Sequence, residues 1–491
     1  VDCRPVFDHY VQLCKSYTPQ RVEQITGVPA GQLRETAKLL WTSRPVSFYA
    51  WSGVGQHTNA TQTARAITLL YALTGNIAGR GGNVQFTKVP TNDVSGLDLV
   101  TPQTREKTLG VAERPLGPPK DGWCTSGDLY RAILESRPYP VKALLTFGTN
   151  LLVSHAGVTR ATEALERLEF HAHADLFVNP TAAYADVLLP VSSPWEREAL
   201  RIGFEVTQAA NGHVQLRPPA VASRGESRDD GWIAFELAQR LGLGHLFWNG
   251  NRDEGLREWL APSGIQLDDL RAQPEGIHID LQTNYDAYEI EGFDTPSGRI
   301  EIWSETFAAH GQDPLPNFVE PAVGPISRPD LLARYPLVLT SAKPHQFCHS
   351  QHRNLPRLRK LLRHPRIDIH PDAANARGIE NDDWVSVETP SGQIRARAAL
   401  KGSIDPDVVV AQHGWWQACE SLGLPGYPVV GNGSANFNLL IDDQSVDPIS
   451  GSTAHRSYLC QIRRIAPPSS LQPDRVTGEP STTSAPSIAS R

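Results

Sequence analysis

The sequence predicts an α/β chain, a parallel sheet with covering helices, followed by a β-barrel of about 130 residues. Two observations carry this. Val141–Phe147 (VKALLTF) and Phe170–Phe177 (FHAHADLF) read as strands on either side of a helical stretch, Thr159–Leu168, and a strand–helix–strand order implies a parallel sheet. Beyond 330 the texture changes to short strands with few helices, including a hairpin turn at Pro390-Ser-Gly392.

The chain has 491 residues, enough for roughly three domains with ample core. Its net charge of −7 and 20% charged residues describe an ordinary surface without the basic stripe of a nucleic-acid binder. No run of 18 apolar residues suggests a membrane span, and charges throughout 1–20 argue against a signal peptide. The six cysteines are scattered without a Cys-x-x-Cys, so neither zinc nor an iron–sulfur site is expected from them, and a reducing compartment is. With no methionine, even at position 1, the chain reads as a fragment that begins in mid-domain.

In chain order, Thr18-Pro19 opens a helix with a cap and a proline at its first turn, and Leu33, Ala37 and Leu40 mark a second one. Residues 46–84 follow. Val46–Trp51 reads as a short buried strand, Gly53 and Gly55 as a turn, and Gln56-His57-Thr58-Asn59 as a polar cluster. Thr61–Thr74 reads as a helix apolar on two faces, hence buried, closed by Gly75-Asn76 in a left-handed cap. Such a strand–turn–helix can face backbone N–H groups toward an anion. Thr58 stands where a Gly-x-Gly-x-x-Gly motif needs its third glycine, so an ordinary strand–helix turn stays open. Thr87–Gly122 is a proline-rich loop, either a covering loop or a surface excursion, and Ser126 is expected to cap a helix to Glu135.

Polar residues stand at three successive strand ends: Gln56-His57, Gly148-Thr149-Asn150, and Asp175 through Asn179 and Thr181. Ligands of parallel sheets sit at the strands' carboxyl ends, so a nucleotide site is expected there. Asp175 is singled out because a carboxylate can accept two N–H bonds from a guanine edge; a surface aspartate or a cap is the alternative. Asp186 is read as structural, capping a turn before a buried strand. Asp230–Leu241 reads as an amphipathic helix, and Thr295–Gly298 as a turn into a strand at Arg299–Trp303. In the last domain, clusters at Lys343-Pro-His345, His349–Asn354, His413 and Asn436 could suggest metal. The basic run of Arg353, Arg357, Arg359 and Lys360 suits phosphate better. Residues 466–491 are Pro/Ser/Thr-rich and expected to be disordered.

Five stretches, ITGVPA, Gln56-His57 with LTGN (73–76), ADVLLP (185–190), TPSGRIE (295–301) and the final barrel, together resemble the molybdopterin-dependent oxidoreductase large subunits of the dimethyl sulfoxide reductase family, over about 18–464. The resemblance implies parallel-sheet dinucleotide-binding domains over 1–329 and a double-psi β-barrel over 330–465. It also implies two molybdopterin guanine dinucleotides, with molybdenum or tungsten held by their dithiolenes. Gly53, Gly55, Gln56, His57, Gly75, Asn76, Gly148, Thr149, Asn150, Asp175, Asn179 and Thr181 would line the site on one side. Lys343, His345, Ser350, Gln351, Asn354, His413 and Asn436 would line it on the other. Asn179 stands where the family commonly has threonine, and Ala342 where it often has arginine. The cysteine cluster for a [4Fe–4S] centre and the segment with the protein ligand to the metal have no counterpart here; Cys3 and Cys14 lie too close to the helix ahead of 46–51 for that role. The implied activity is oxygen-atom or hydride transfer on a small substrate, with a possible electron-transfer subunit. Location would be cytoplasmic, or periplasmic if a preceding segment carries a twin-arginine signal. The alternatives are a non-catalytic dinucleotide-binding scaffold within a larger redox complex and a nicotinamide dehydrogenase, which the incomplete glycine motif disfavours.

Overall fold

The computed structural model describes residues 4–204 and 206–467, so Cys3 and the tail from 468 lie outside the described residues. Its first sheet is the expected parallel one. Strands β1 (Ala143–Phe147), β2 (Phe170–Asp175) and β3 (Val187–Pro190) run side by side, with Thr146 opposite His173 and Ala174 opposite Leu189. The helix Val158–Arg167 links β1 to β2, and its Val158, Ala161, Ala164 and Leu165 pack with Tyr130 and Ile133 of the helix Ser126–Glu135. That second helix starts one residue earlier than read. Thr125 is its cap, accepting from the Asp128 amide while Asp128 reaches back, a capping box that also seats the Arg114–Asp128 ion pair.

The other face of the sheet is open. Leu145, Phe147, Phe170 and Val187 alternate onto it and are each more than a third exposed. Openness explains two departures from expectation. Val46–Trp51 is not a buried strand but an extended stretch with Tyr49 and Trp51 75% and 60% exposed. Among the described residues no neighbouring strand gives it a ladder; side chains hold it instead, Oδ1 of Asn76 and of Asn83 accepting from the amides of Val46 and Phe48. The helix Ala60–Thr74 forms and closes at left-handed Gly75 as expected, yet it buries only Ala60, Gln62 and Leu69, with Leu70 and Leu73 exposed. Two further expectations fail. Residues 299–303 form no strand, and β3 after Asp186 is largely exposed; Asp186 bonds instead across to the His171 amide at 2.7 Å.

A small antiparallel sheet follows, β4 (Ala199–Ile202), β5 (His213–Arg217) and β6 (Ile277–His278), over a cluster of Val214, Leu216, Leu260, Leu267 and Leu270. The last domain is a closed six-stranded barrel. Its strands are β7 (Leu337–Ala342), β8 (Arg366–Ile369), β9 (Trp384–Glu388), β10 (Gln393–Leu400), β11 (Val408–Gln412) and β12 (Tyr458–Arg464), in the order β10-β8-β11-β7-β12-β9. β7 pairs parallel with β11 and β8 with β10, and the remaining pairs are antiparallel. Period-two alternation fills it: Leu339, Ile367, Ile369, Val387, Val409, Ala411 and Ile462 point inward and are fully buried. At the β9–β10 hairpin a Cβ on Gly392 would lie 2.4 Å from the Leu439 carbonyl oxygen, so only glycine fits.

The barrel grips the first sheet through residues 436–443. Asn436 Nδ2 donates to the Leu152 carbonyl and Asn438 Nδ2 to that of Val153, both at 2.6 Å, and Arg160 pairs with Asp443 at 2.7 Å. Asn436 is fully buried. Replacing it by alanine leaves the Leu152 carbonyl without that donor, so Asn436→Ala should cost about 1–3 kcal/mol in urea unfolding while far-ultraviolet circular dichroism stays unchanged. A full-stability variant would mean the two parts do not depend on this bond.

Candidate functional site

Between the carboxyl ends of β1 and β2 and the barrel lies a cleft of two adjoining cavities, about 420 and 380 Å³, which share Ser154, His349 and Ser350. Their sizes suit a ligand larger than a single ring system.

At one end stands Asp175. Its Oδ1 accepts from the Leu176 amide at 2.6 Å and its Oδ2 from Asn179 Nδ2 at 2.8 Å, so the carboxylate is held with lone pairs left over. Asn179 also donates to the Thr149 carbonyl and His173 Nε2, its carbonyl taking the amides of Thr181 and Ala182. Behind it the bonds continue inward: His173 Nδ1 to Thr146 Oγ1 at 2.6 Å, and Thr146 Oγ1 to His171 Nε2 at 3.0 Å. Every member of that chain is buried in the covered face of the sheet, which fixes Asp175 from behind. Gly148, left-handed at φ 54°, with Thr149 and Asn150, forms the adjoining wall, and the Asn150 Nδ2 is buried without a partner. Arg197 and Asp230 complete this end; burial, with Asp229 and Asp175 nearby, raises the Asp230 carboxyl, which Arg197 opposes.

The other end is basic. Lys343, His349, His413, His455 and Arg456 line it with Gln56, Ser341, Ser350 and Asn438. Arg456 holds it together, its Nε donating to Gln56 Oε1 at 3.0 Å and its Nη1 to the Ser341 carbonyl at 3.1 Å, with Gly53 packed against the guanidinium. His57 Nδ1 meets Ser457 Oγ at 3.2 Å, so the glycine turn docks on the chain entering β12. Burial pushes His413 down to about 4, helped by Arg353, His349 and Lys343, and pushes His455 down to about 4 as well.

Not every residue expected at the site lies in this cleft. Thr181 bonds the Leu152 amide and Asn150, Asn436 clamps the barrel, and Asn76 pegs the 46–51 stretch. Gly75 caps a helix, Gly55 lines a separate hollow beside it, the Asn354 amide donates to Gln417, and His345 sits exposed away from the lining. Arg353 and Arg359, read as phosphate-facing, are fully buried. Conversely Ser154, Arg197, Asp230, Asn438, His455 and Arg456 line the cleft unanticipated. His455-Arg456 adjoins a barrel strand and could have been found as a basic pair at a strand end; the others carried no signal. Among the described residues no group of three or more His, Cys, Asp or Glu converges to hold a metal ion.

Comparison with known proteins fits this geometry. The family model for the molybdopterin oxidoreductase matches residues 23–240, and that for the molydopterin dinucleotide binding domain matches 337–459, so the cleft falls between the two. The chain is 29% identical to a dopamine dehydroxylase of Eggerthella lenta, over 96% of this chain and 54% of that one. It is 26% identical to an acetylene hydratase of Syntrophotalea acetylenica (92% and 66%) and 26% to a dimethyl sulfoxide reductase of Escherichia coli (81% and 52%). The chain belongs to the dimethyl sulfoxide reductase family of molybdopterin oxidoreductases. It spans about half to two thirds of the length of these relatives. The fold of the family is shared too. The solved acetylene hydratase from Pelobacter acetylenicus superposes with a TM-score of 0.82 over 94% of this chain and 66% of that one, at 24% identity.

The low histidine values set a pH dependence. A histidine held near 4 when folded but at its ordinary 6.5 when unfolded lets the unfolded chain bind more protons between those values. Stability from His413 and His455 is therefore present above about pH 6.5 and is lost as pH falls toward about 4. The melting temperature should drop from about pH 7 to 5, and the double variant His413→Gln, His455→Gln should flatten that slope. An unchanged slope would show that other groups govern it.

Proposed function

We propose that this chain holds molybdopterin guanine dinucleotide and forms part of an enzyme that moves an oxygen atom, or a hydride and electrons, to or from a small molecule. The observation that carries this is the polarity of one continuous cleft, a positioned carboxylate at one end and a cationic, donor-rich floor at the other. A dinucleotide has that pattern, a base with N–H donors and a pterin phosphate arm carrying negative charge. The residues present fit it: the partnerless Asn150 Nδ2 and Arg197 Nε are buried donors beside the cleft in want of an acceptor.

In this reading Asp175 accepts from the guanine edge, oriented by Asn179 and the His173–Thr146 chain behind it. Ser350, His349 and Ser154 meet the middle of the ligand, and Lys343, His413, His455 and Arg456 meet the pterin half. Gln56, fixed by Arg456, offers its amide at the same end. The bound group supplies two-electron redox chemistry at molybdenum or tungsten, and the chain supplies orientation, desolvation and charge. We infer two dinucleotides per chain, a domain boundary near 329 and 330, and an electron-accepting partner subunit; relatives with names such as dopamine dehydroxylase and dimethyl sulfoxide reductase support a small organic substrate. No helix among the described residues is long and apolar enough to cross a membrane.

Asp175→Asn turns an acceptor into a donor facing a donor. Guanine affinity should fall about ten- to hundredfold, read as guanine nucleotide released per chain after acid denaturation. Full guanine occupancy with an unchanged melting temperature would sink the assignment. Elemental analysis of the holoprotein should give molybdenum or tungsten in proportion to the pterin; pterin without either metal would favour a binding scaffold.

A further inference from the structure

Two arginines, Arg353 and Arg359, are fully buried, and among the described residues neither meets a carboxylate. Carbonyl oxygens satisfy them instead. Arg353 Nη1 donates to the carbonyls of His349 (2.7 Å) and Gln351 (3.2 Å), and its Nη2 to that of His413 (2.7 Å). Its guanidinium also lies against Phe347 and Trp415, 4.7 and 5.1 Å from the ring centres, and Arg359 lies 4.9 Å from Trp415. Arg353 Nε is buried with no partner, and burial, reinforced by Arg359, lowers its pKa to about 9. Burying positive charge with no counter-charge is costly unless something nearby is negative.

The carbonyls that Arg353 takes decide where the next amides point. In a planar trans peptide the C=O and the following N–H are antiparallel. Drawing the His349 and Gln351 oxygens inward turns the N–H groups of Ser350 and His352 outward, and both residues line the cleft. Neither amide has an acceptor among the described residues. His349 and His352 sit in left-handed backbone at φ 47° and 70°, strained for such side chains and held there by the surroundings. Gly414 locks the turn, since a Cβ there would come within 2.4 Å of the His349 oxygen.

We propose that Arg353 is a positioning residue for an oxyanion subsite made by the outward Ser350 and His352 amides, which holds the diphosphate of the bound dinucleotide. The diphosphate identity rests on the dinucleotide reading above, whereas the subsite itself does not. Alternate amides left free on the outer side of a tight turn form a concavity suited to an anion, and the buried guanidinium adds its field from behind without touching the ligand.

The test uses the full chain freed of cofactor, with inorganic pyrophosphate, guanosine and guanosine diphosphate as separate probes in equilibrium dialysis at fixed ionic strength. Arg353→Lys keeps a charge but loses the fork, and should weaken pyrophosphate and guanosine diphosphate about ten- to hundredfold while guanosine is unaffected. Arg357→Ala, at an exposed neighbour, removes the same charge from the surface and should leave pyrophosphate affinity near wild type. Equal pyrophosphate binding by wild type and Arg353→Lys, or none by wild type, overturns the proposal. If Arg353→Lys does not fold, amide hydrogen exchange of wild-type 348–354 decides: protection by pyrophosphate supports the subsite, and its absence overturns it. Arg353-dependent pyrophosphate binding without any guanosine binding keeps the subsite and defeats the guanine reading instead.

Discussion

Everything in the site depends on how the barrel seats against the parallel sheet. The seat is made of side-chain amides on backbone carbonyls, Asn436 to Leu152 and Asn438 to Val153, with the Arg160–Asp443 pair beside them. These bonds have narrow directions, so they fix register where apolar packing alone would permit sliding. Ser154, one residue beyond Val153, is where the two cavities join. A shift of the seat would therefore open or close the cleft at its middle. Farther along the same contact, Thr61 donates to Asp447 and Gln56 accepts from Arg456, so the helix Ala60–Thr74 is tied to the barrel as well.

Much of the fold was legible because periodicity reports burial directly. β1, the following helix and β2 were read within about two residues, and the Pro390-Ser-Gly392 hairpin placed β9 and β10. Val46–Trp51 misled for the same reason. An apolar run signals burial, but burial needs a neighbour, and among the described residues none pairs with it. The resemblance over 18–464 named the family and the barrel, which the structure and the matched models bear out. Individual site residues were harder. Asn, Gln and Thr look alike in sequence whether they face a ligand or satisfy a backbone group; Asp175 faces the cleft, whereas Asn436 and Thr181 are used up internally. The basic run at 353–360 divides in the same way. Arg357 and Lys360 are exposed, and Arg353 and Arg359 are buried and bonded to backbone carbonyls, a difference that charge alone does not reveal.

The charge pattern of the cleft is uneven in kind as well as sign. Burial brings His413 and His455 down to about 4, while Arg353, buried behind the cleft among carbonyls and aromatic rings, is lowered only to about 9. Positive potential at the basic end thus comes from lysine and arginine side chains, with the imidazoles of His413 and His455 as neutral donors or acceptors. At the opposite end the Asp175 carboxylate is held by neutral amides, which orient it without cancelling its charge.

The position of β12 has a consequence for how the molecule is made. This strand, Tyr458–Arg464, lies between β7 and β9 and closes the barrel, so β7 must wait through roughly 120 residues of synthesis for one of its two neighbours. During that interval the nascent chain carries open strand edges of the kind that invite wrong pairings. His455 and Arg456, which wall the basic end, emerge from the ribosome with that same strand. The cavity is thus finished among the last of the described parts, because the residues that wall its basic end are made together with the strand that closes the barrel.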